Sequence, residues 1–212
     1  SVGGLTPDFG IMQFAASLGV ETHVLIRPRC GDFSMSPDDI SVAVASIKAV
    51  QQLGLRGVVI GAERNGALDR RALEAMILAA DDLDLTLHRA IDVVDDPKAA
   101  VNLAVELGFI RVLTSGGSQS AADGTAGLKR LHATAGSRIE IMAGGGVNSA
   151  NLQNIMDSTQ ITSFHASCSM KTLLAPIYAR YGFGETKRVF NQIEAEKLAA
   201  LLHGHLSKSY ED

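Results

Sequence analysis

Cysteine is scarce in this sequence: Cys30 and Cys168 are the two among 212 residues, and they form no CxxC pair. That excludes a disulfide framework and a cysteine-built zinc module, and it fits a reducing compartment. No apolar run approaches the roughly 18 residues of a membrane span. The opening residues show no leader pattern of basic, then apolar, then small residues, so the expected location is the cytoplasm. Basic residues are scattered and the net charge is −4, which excludes the clustered positive face of a nucleic-acid binder and the polybasic patch of a membrane anchor. The expected partner is a small molecule or an ion.

What is present is a regular alternation. With 46% hydrophobic residues, the chain can bury a large core as a single domain over 1–212. Short apolar runs predict strands near 21–28, 57–62, 85–90, 110–115, 139–144 and 161–166, each followed by apolar residues at helical spacing. Ser36-Pro37 and Asp96-Pro97 predict helix starts before 40–53 and 98–107, and Asn148-Ser149 before 150–157. Gly54 and Gly108 predict helix stops. Pro7-Asp8 would open a helix carrying Ile11, Phe14, Ala15 and Leu18 on its apolar side. The stretch at about 171–212 reads as a loop followed by an amphipathic helix around 190–206.

Strands alternating with helices call for a parallel sheet, here an α/β fold of the (β/α)8 TIM-barrel type with six strand-helix units visible. In such a barrel the C-terminal strand ends converge on one mouth, where the unusual residues of this chain also fall.

Six segments then occur in order: GGLTP (3–7), IRPRCGDF (26–33), LHRAID (87–92), RVLTSG (111–116), IMAGGGV (141–147) and FHAS (164–167). Together they resemble the CutC family of copper homeostasis proteins. The resemblance implies a cytoplasmic barrel, a homodimer or larger homo-oligomer, and binding of Cu(I). In that family a strand, a helix and a second strand precede the GGLTP loop. None of that stretch precedes Gly3 here, and the expectation is that the sequence is part of a longer product.

The mouth offers candidates for two kinds of chemistry. Arg27, Arg29 and Arg89 carry guanidinium forks suited to a carboxylate or phosphate. Asp32 and Asp92, each three residues beyond an arginine, are candidates of the same site and also the obvious partners for rim salt bridges. His88 and His165 end their strands and, with Asp92, are the catalytic candidates for moving protons near neutral pH. Strand alternation lets only one of His88 and Arg89 face the mouth. Thr114, Ser115 and Gly116 form one donor-rich loop, and Gly144, Gly145 and Gly146 another, placed as barrels place their phosphate cradles. The alternative for each histidine is a hydrogen-bonded structural role.

Copper(I) prefers thiolate or thioether ligands. Cys30 and Cys168 follow strand ends and are the metal candidates, although their spacing matches no metal motif. Three readings follow: a Cu(I)-binding homeostasis protein, a barrel enzyme for a small anionic metabolite, and an oligomer with a vestigial mouth.

Overall fold

The computed structural model describes residues 3–208. Helix α1 (Phe9–Ser17) leads into strand β1 (His23–Leu25), helix α2 (Pro37–Gln52) and strand β2 (Gly57–Ile60). A hairpin of β3 (Glu63–Arg64) and β4 (Ala67–Leu68) precedes α3 (Arg70–Ala80). Strand β5 (Asp84–Leu87), a 3-10 turn (Arg89–Val93) and α4 (Pro97–Glu106) come next. They are followed by β6 (Arg111–Thr114), α5 (Thr125–Ala135), β7 (Glu140–Gly144), α6 (Leu152–Thr159) and β8 (Ser163–His165). Beyond these lie β9 (Ser169–Leu173), α7 (Pro176–Arg180), β10 (Thr186–Phe190) and α8 (Gln192–Lys208).

Six strands pair in the order β1-β2-β5-β6-β7-β8, every pair parallel. The sheet curls into a half-barrel of the TIM-barrel type with helices outside it. Side chains alternate between the faces of a strand, and by register Val58, Ile60, Leu87 and Val112 share one face of the sheet, where all four are fully buried. The helices meet them with stripes such as Ile47 and Val50 of α2 and Leu73 and Met76 of α3. Each such side chain contributes about 1.5–3 kcal/mol by leaving water. Because all six strands run one way, residues 26–33, 61, 88–92, 114–117 and 144–147 lie along one rim. Among the described residues no helix is long and apolar enough to cross a membrane.

The helix punctuation works largely as its chemistry demands. Ser36 caps α2 in a reciprocal box with Asp39, and Asp96 caps α4 through the N–H groups of Lys98 and Ala99. Gly54 and Gly108 follow their helices in the left-handed region. Asn148 and Ser149, in contrast, do not cap α6, which starts later with Asn151 at its cap. The Asn148 side chain accepts from Ala150 N–H, while the Ser149 N–H and hydroxyl donate to Glu194 of α8. Both residues therefore brace the loop. The apolar stripe of α1 also departs from expectation: Met12 is buried, but Ile11, Phe14 and Leu18 are exposed.

Two features went unread in the sequence. The β3–β4 hairpin turns on Asn65-Gly66, both at positive φ, the residue pair that a two-residue hairpin turn favours. Where a loop was expected from about 171, β9 and β10 form an antiparallel pair. Each has mostly exposed side chains, so neither strand shows the apolar alternation by which a strand is recognised.

Candidate functional site

Strand β1 ends at Leu25, and the backbone beyond it is stitched to the first glycine loop. Thr6 N–H donates to the Arg27 carbonyl, and Arg27 N–H donates to the Thr6 hydroxyl at 2.8 Å. These bonds place the Arg27 side chain on the rim. Its guanidinium donates to the carbonyls of Gly4 and Gly31 and lies 5.1 Å from the centre of the Phe33 ring, a distance at which a cation is attracted to the ring face. The other face of this corner is His88. Its backbone N–H donates to the Ile60 carbonyl at 2.9 Å, and its ring packs 4.9 Å from Phe33.

His88 is buried, and its Nδ1 accepts a hydrogen bond from Ala90 N–H at 3.1 Å. Its Nε2 is buried with no hydrogen-bond partner among the described residues. Burial first, and then the positive charge of Arg27, lower its pKa to about 4, so the ring is neutral at physiological pH. The cavity that Arg27, Phe33, Gly61 and His88 line measures about 10 Å³, room for one water-sized group. A larger cavity of about 190 Å³ lies between α4 and α5, lined by Lys98 and Arg130, away from His88.

Gly61 is fixed by this packing. A Cβ there would come within 2.4 Å of the His88 ring, closer than side chains approach. Gly61→Ala will cost about 1–3 kcal/mol as overpacking and push the imidazole off Phe33. Urea denaturation measures the first effect, and loss of the ring-current shift on the His88 protons measures the second. An alanine variant of unchanged stability and spectrum would show that the ring does not rest on this position.

Arg29 and Asp32 answer each other. Arg29 donates to Asp32 at 2.7 Å and to Asp39 at 3.2 Å, and its hydrogen bonds to the two carboxylates raise its pKa. Asp32 is held below the usual carboxylate range, chiefly by Arg29. The pair organises the loop at the site's edge, a different part from the anion contact expected of Arg29. At their exposure such pairs contribute little to stability.

The second corner is built around Asp92. Its carboxylate accepts from Arg89 Nε, the Thr114 hydroxyl and the N–H groups of Ser115 and Gly117, and Gly116 N–H donates to the Thr114 hydroxyl. The donor-rich loop thus cradles an anion, but the anion is the protein's own. Thr114, Ser115 and Gly116 are already committed, and Asp92, whose side chain is 6% exposed, positions the loop. Both His88 and Arg89 face the rim, contrary to strict alternation, because β5 ends at Leu87 and the 3-10 turn begins at Arg89. His88 turns toward Arg27, and Arg89 turns toward Ser115 and Gly145.

Gly144 closes β7, and Gly145 and Gly146 follow at positive φ. Their carbonyls are tied down, Gly145 by Ala121 N–H and Gly146 by the Asn148 and Asn151 amides. His165 ends β8 beside Gly144, exposed, with partial burial lowering its pKa. It does not line the His88 cavity, since β6 and β7 lie between their strands. Cys30 is exposed in the loop after β1, and Cys168 is half-buried between β8 and β9, on the strands at opposite ends of the sheet order. Among the described residues, no group of three or more His, Cys, Asp or Glu is placed to hold a metal ion. Phe33, Gly61 and Thr6 were not singled out from the sequence. Phe33 stood in the arginine-rich segment and Gly61 directly after a β-branched run, which were the available signals.

The family model of the CutC family matches residues 1–170. A CutC family protein of Agrobacterium fabrum is 44% identical over 209 residues, 97% of this chain and 83% of that protein. One from Caulobacter vibrioides is 47% identical over 165 residues, 77% of this chain and 67% of that protein. A CutC crystal structure from Streptococcus agalactiae, of a protein named for copper homeostasis, is similar with a TM-score of 0.74 and 32% identity, covering 77% of this chain and 82% of that one. The aldolase QR15, at 12% identity and a TM-score of 0.55 over 74% of this chain and 73% of its own, shares the fold alone. By motif, sequence and fold together, this chain belongs to the CutC family.

Proposed function

We propose that this chain acts in the cytoplasm in copper homeostasis, for which its Streptococcus agalactiae relative is named, and that its barrel mouth binds a small carboxylate- or phosphate-bearing molecule. The observation that carries the second part is the Arg27–Phe33–His88 corner. A guanidinium, an aromatic face and a buried imidazole with an unsatisfied nitrogen converge there on one small cavity. Buried polar atoms are paired in the great majority of structures, and an orphan on a residue that borders a cavity is where a ligand atom belongs. For direct Cu(I) coordination the thiol donors are Cys30 and Cys168, which follow the strands at the two ends of the sheet order and belong to no group of three or more His, Cys, Asp or Glu among the described residues.

The test titrates oxalate and inorganic phosphate by calorimetry, and separately Cu(I) against a competing chelator. The expected result is saturable anion binding that Arg27→Ala weakens ten- to a hundredfold, the loss of about 1.5–3 kcal/mol for a hydrogen bond to a charged group. Cu(I) uptake should not depend on Cys30→Ser or Cys168→Ser. Tight, stoichiometric, cysteine-dependent Cu(I) binding without anion binding would replace this reading with direct copper coordination.

A further inference from the structure

We infer that His88 meets the ligand as a neutral imidazole donating from Nε2–H, which selects for a carbonyl, carboxylate or phosphate oxygen and excludes His88 as a metal ligand or proton acceptor. The inference rests on the reading that the Arg27 corner holds a small molecule, and it adds what that molecule must present to the site.

The argument begins with the backbone. Strand β5 ends at Leu87, and His88 caps the following 3-10 turn by accepting from Ala90 N–H at 3.1 Å. An N–H can be received only by a lone pair, so Nδ1 is unprotonated and the proton of the neutral ring sits on Nε2. The tautomer is therefore set by the backbone bond that caps the turn. Gly61 and Phe33 hold the ring from two sides, which leaves it little room to flip.

Leaving a buried N–H without an acceptor is costly. The Nε2–H of His88 is in that state among the described residues, and the His88 residue borders a cavity the size of one oxygen atom with its hydrogens. Arg27, lining the same cavity, disfavours the imidazolium and draws an oxygen bearing negative charge. A metal ion at Nε2 would need that nitrogen's lone pair, which moves the proton to Nδ1, face to face with Ala90 N–H. Metal-bound histidines do the reverse, donating from the far nitrogen to a carbonyl or carboxylate. Proton abstraction by Nε2 meets the same obstacle, since its lone pair becomes available only in the tautomer that the turn forbids.

The test is long-range proton–nitrogen NMR on protein with labelled histidine at pH 7. The His88 signals are assigned by their loss in His88→Gln and, should that variant fold poorly, by the ring-current change in Phe33→Leu. The expected result is the neutral Nε2–H pattern, a saturable shift of that N–H on adding oxalate or inorganic phosphate, no such shift in Arg27→Ala, and no change with Cu(I). An Nδ1–H pattern, an imidazolium, or loss of Nε2–H on adding Cu(I) would overturn the role of His88 even where the anions bind. The expected tautomer with no response to either anion would instead overturn the pocket reading, and the ligand class with it.

Discussion

Replacing Asp92 with alanine will lower the free energy of unfolding by about 3–5 kcal/mol, chiefly because it strips the buried Thr114 and Ser115 donors of their acceptor, the half-exposed Arg89 adding little. The carboxylate accepts from Arg89 Nε at 2.7 Å, from the Thr114 hydroxyl, and from the N–H groups of Ser115 and Gly117, both at 3.1 Å. Thr114 and Ser115 are fully buried, so donors abandoned there regain little from water, and each costs about 1–3 kcal/mol. Asp92→Asn keeps the shape but turns an NH2 group toward donors, and its cost should fall between wild type and alanine, about 1–3 kcal/mol. Urea denaturation of the three proteins gives the comparison. A cost below about 1 kcal/mol for alanine, within the range of exposed pairs, would mean that the loop is not organised by this carboxylate. The same pairing explains why a donor-rich loop after β6 does not await a ligand: its charge is satisfied from within the chain.

That outcome also marks how far the sequence could be read. The alternation of β-branched runs with helical stripes placed all six parallel strands, and Ser36, Asp96, Gly54 and Gly108 behaved at the helix ends as local chemistry requires. Local rules succeed where the partner is a few residues away. The pairing of Arg29 with Asp32 and of Arg89 with Asp92 was legible for that reason, at a separation of three residues in each case. What failed was everything decided across the sheet. The loop 114–117 reads as an open cradle until Asp92, more than twenty residues earlier, fills it. His88 and His165 look equivalent at their strand ends, yet two strands separate them, and the 3-10 turn after β5 cancels the alternation used to orient His88 and Arg89. The β9–β10 pair gave no periodic signal because mostly exposed strands leave none. Ser149, read as a helix cap, is claimed by Glu194, a partner 45 positions away in the chain.

His88 should make the fold acid-sensitive well above the range in which carboxylates titrate. In the folded chain its pKa is lowered to about 4, by burial and then by Arg27, from an ordinary value of 6.5. As pH falls below 6.5 the unfolded chain takes up a proton that the folded chain refuses, so unfolding is favoured. The stabilisation is complete above 6.5, declines as pH falls toward 4, and levels off below that. Linkage puts the loss at about 2 kcal/mol by pH 5 and about 3 kcal/mol at pH 4. The measurement is urea denaturation of wild type and His88→Gln at intervals from pH 7 to 4.5. The glutamine variant lacks this titration, so whatever stability separates the two proteins at pH 7 should shift in its favour by about 2 kcal/mol at pH 5. Asp32, Asp39, Glu106, Glu194 and His165, whose pKa values are also lowered, remain in both proteins and cancel in the difference. Parallel profiles would mean that His88 titrates alike in the folded and unfolded chains, and a ring so free to protonate could not be the fixed Nε2–H donor that the Ala90 bond implies.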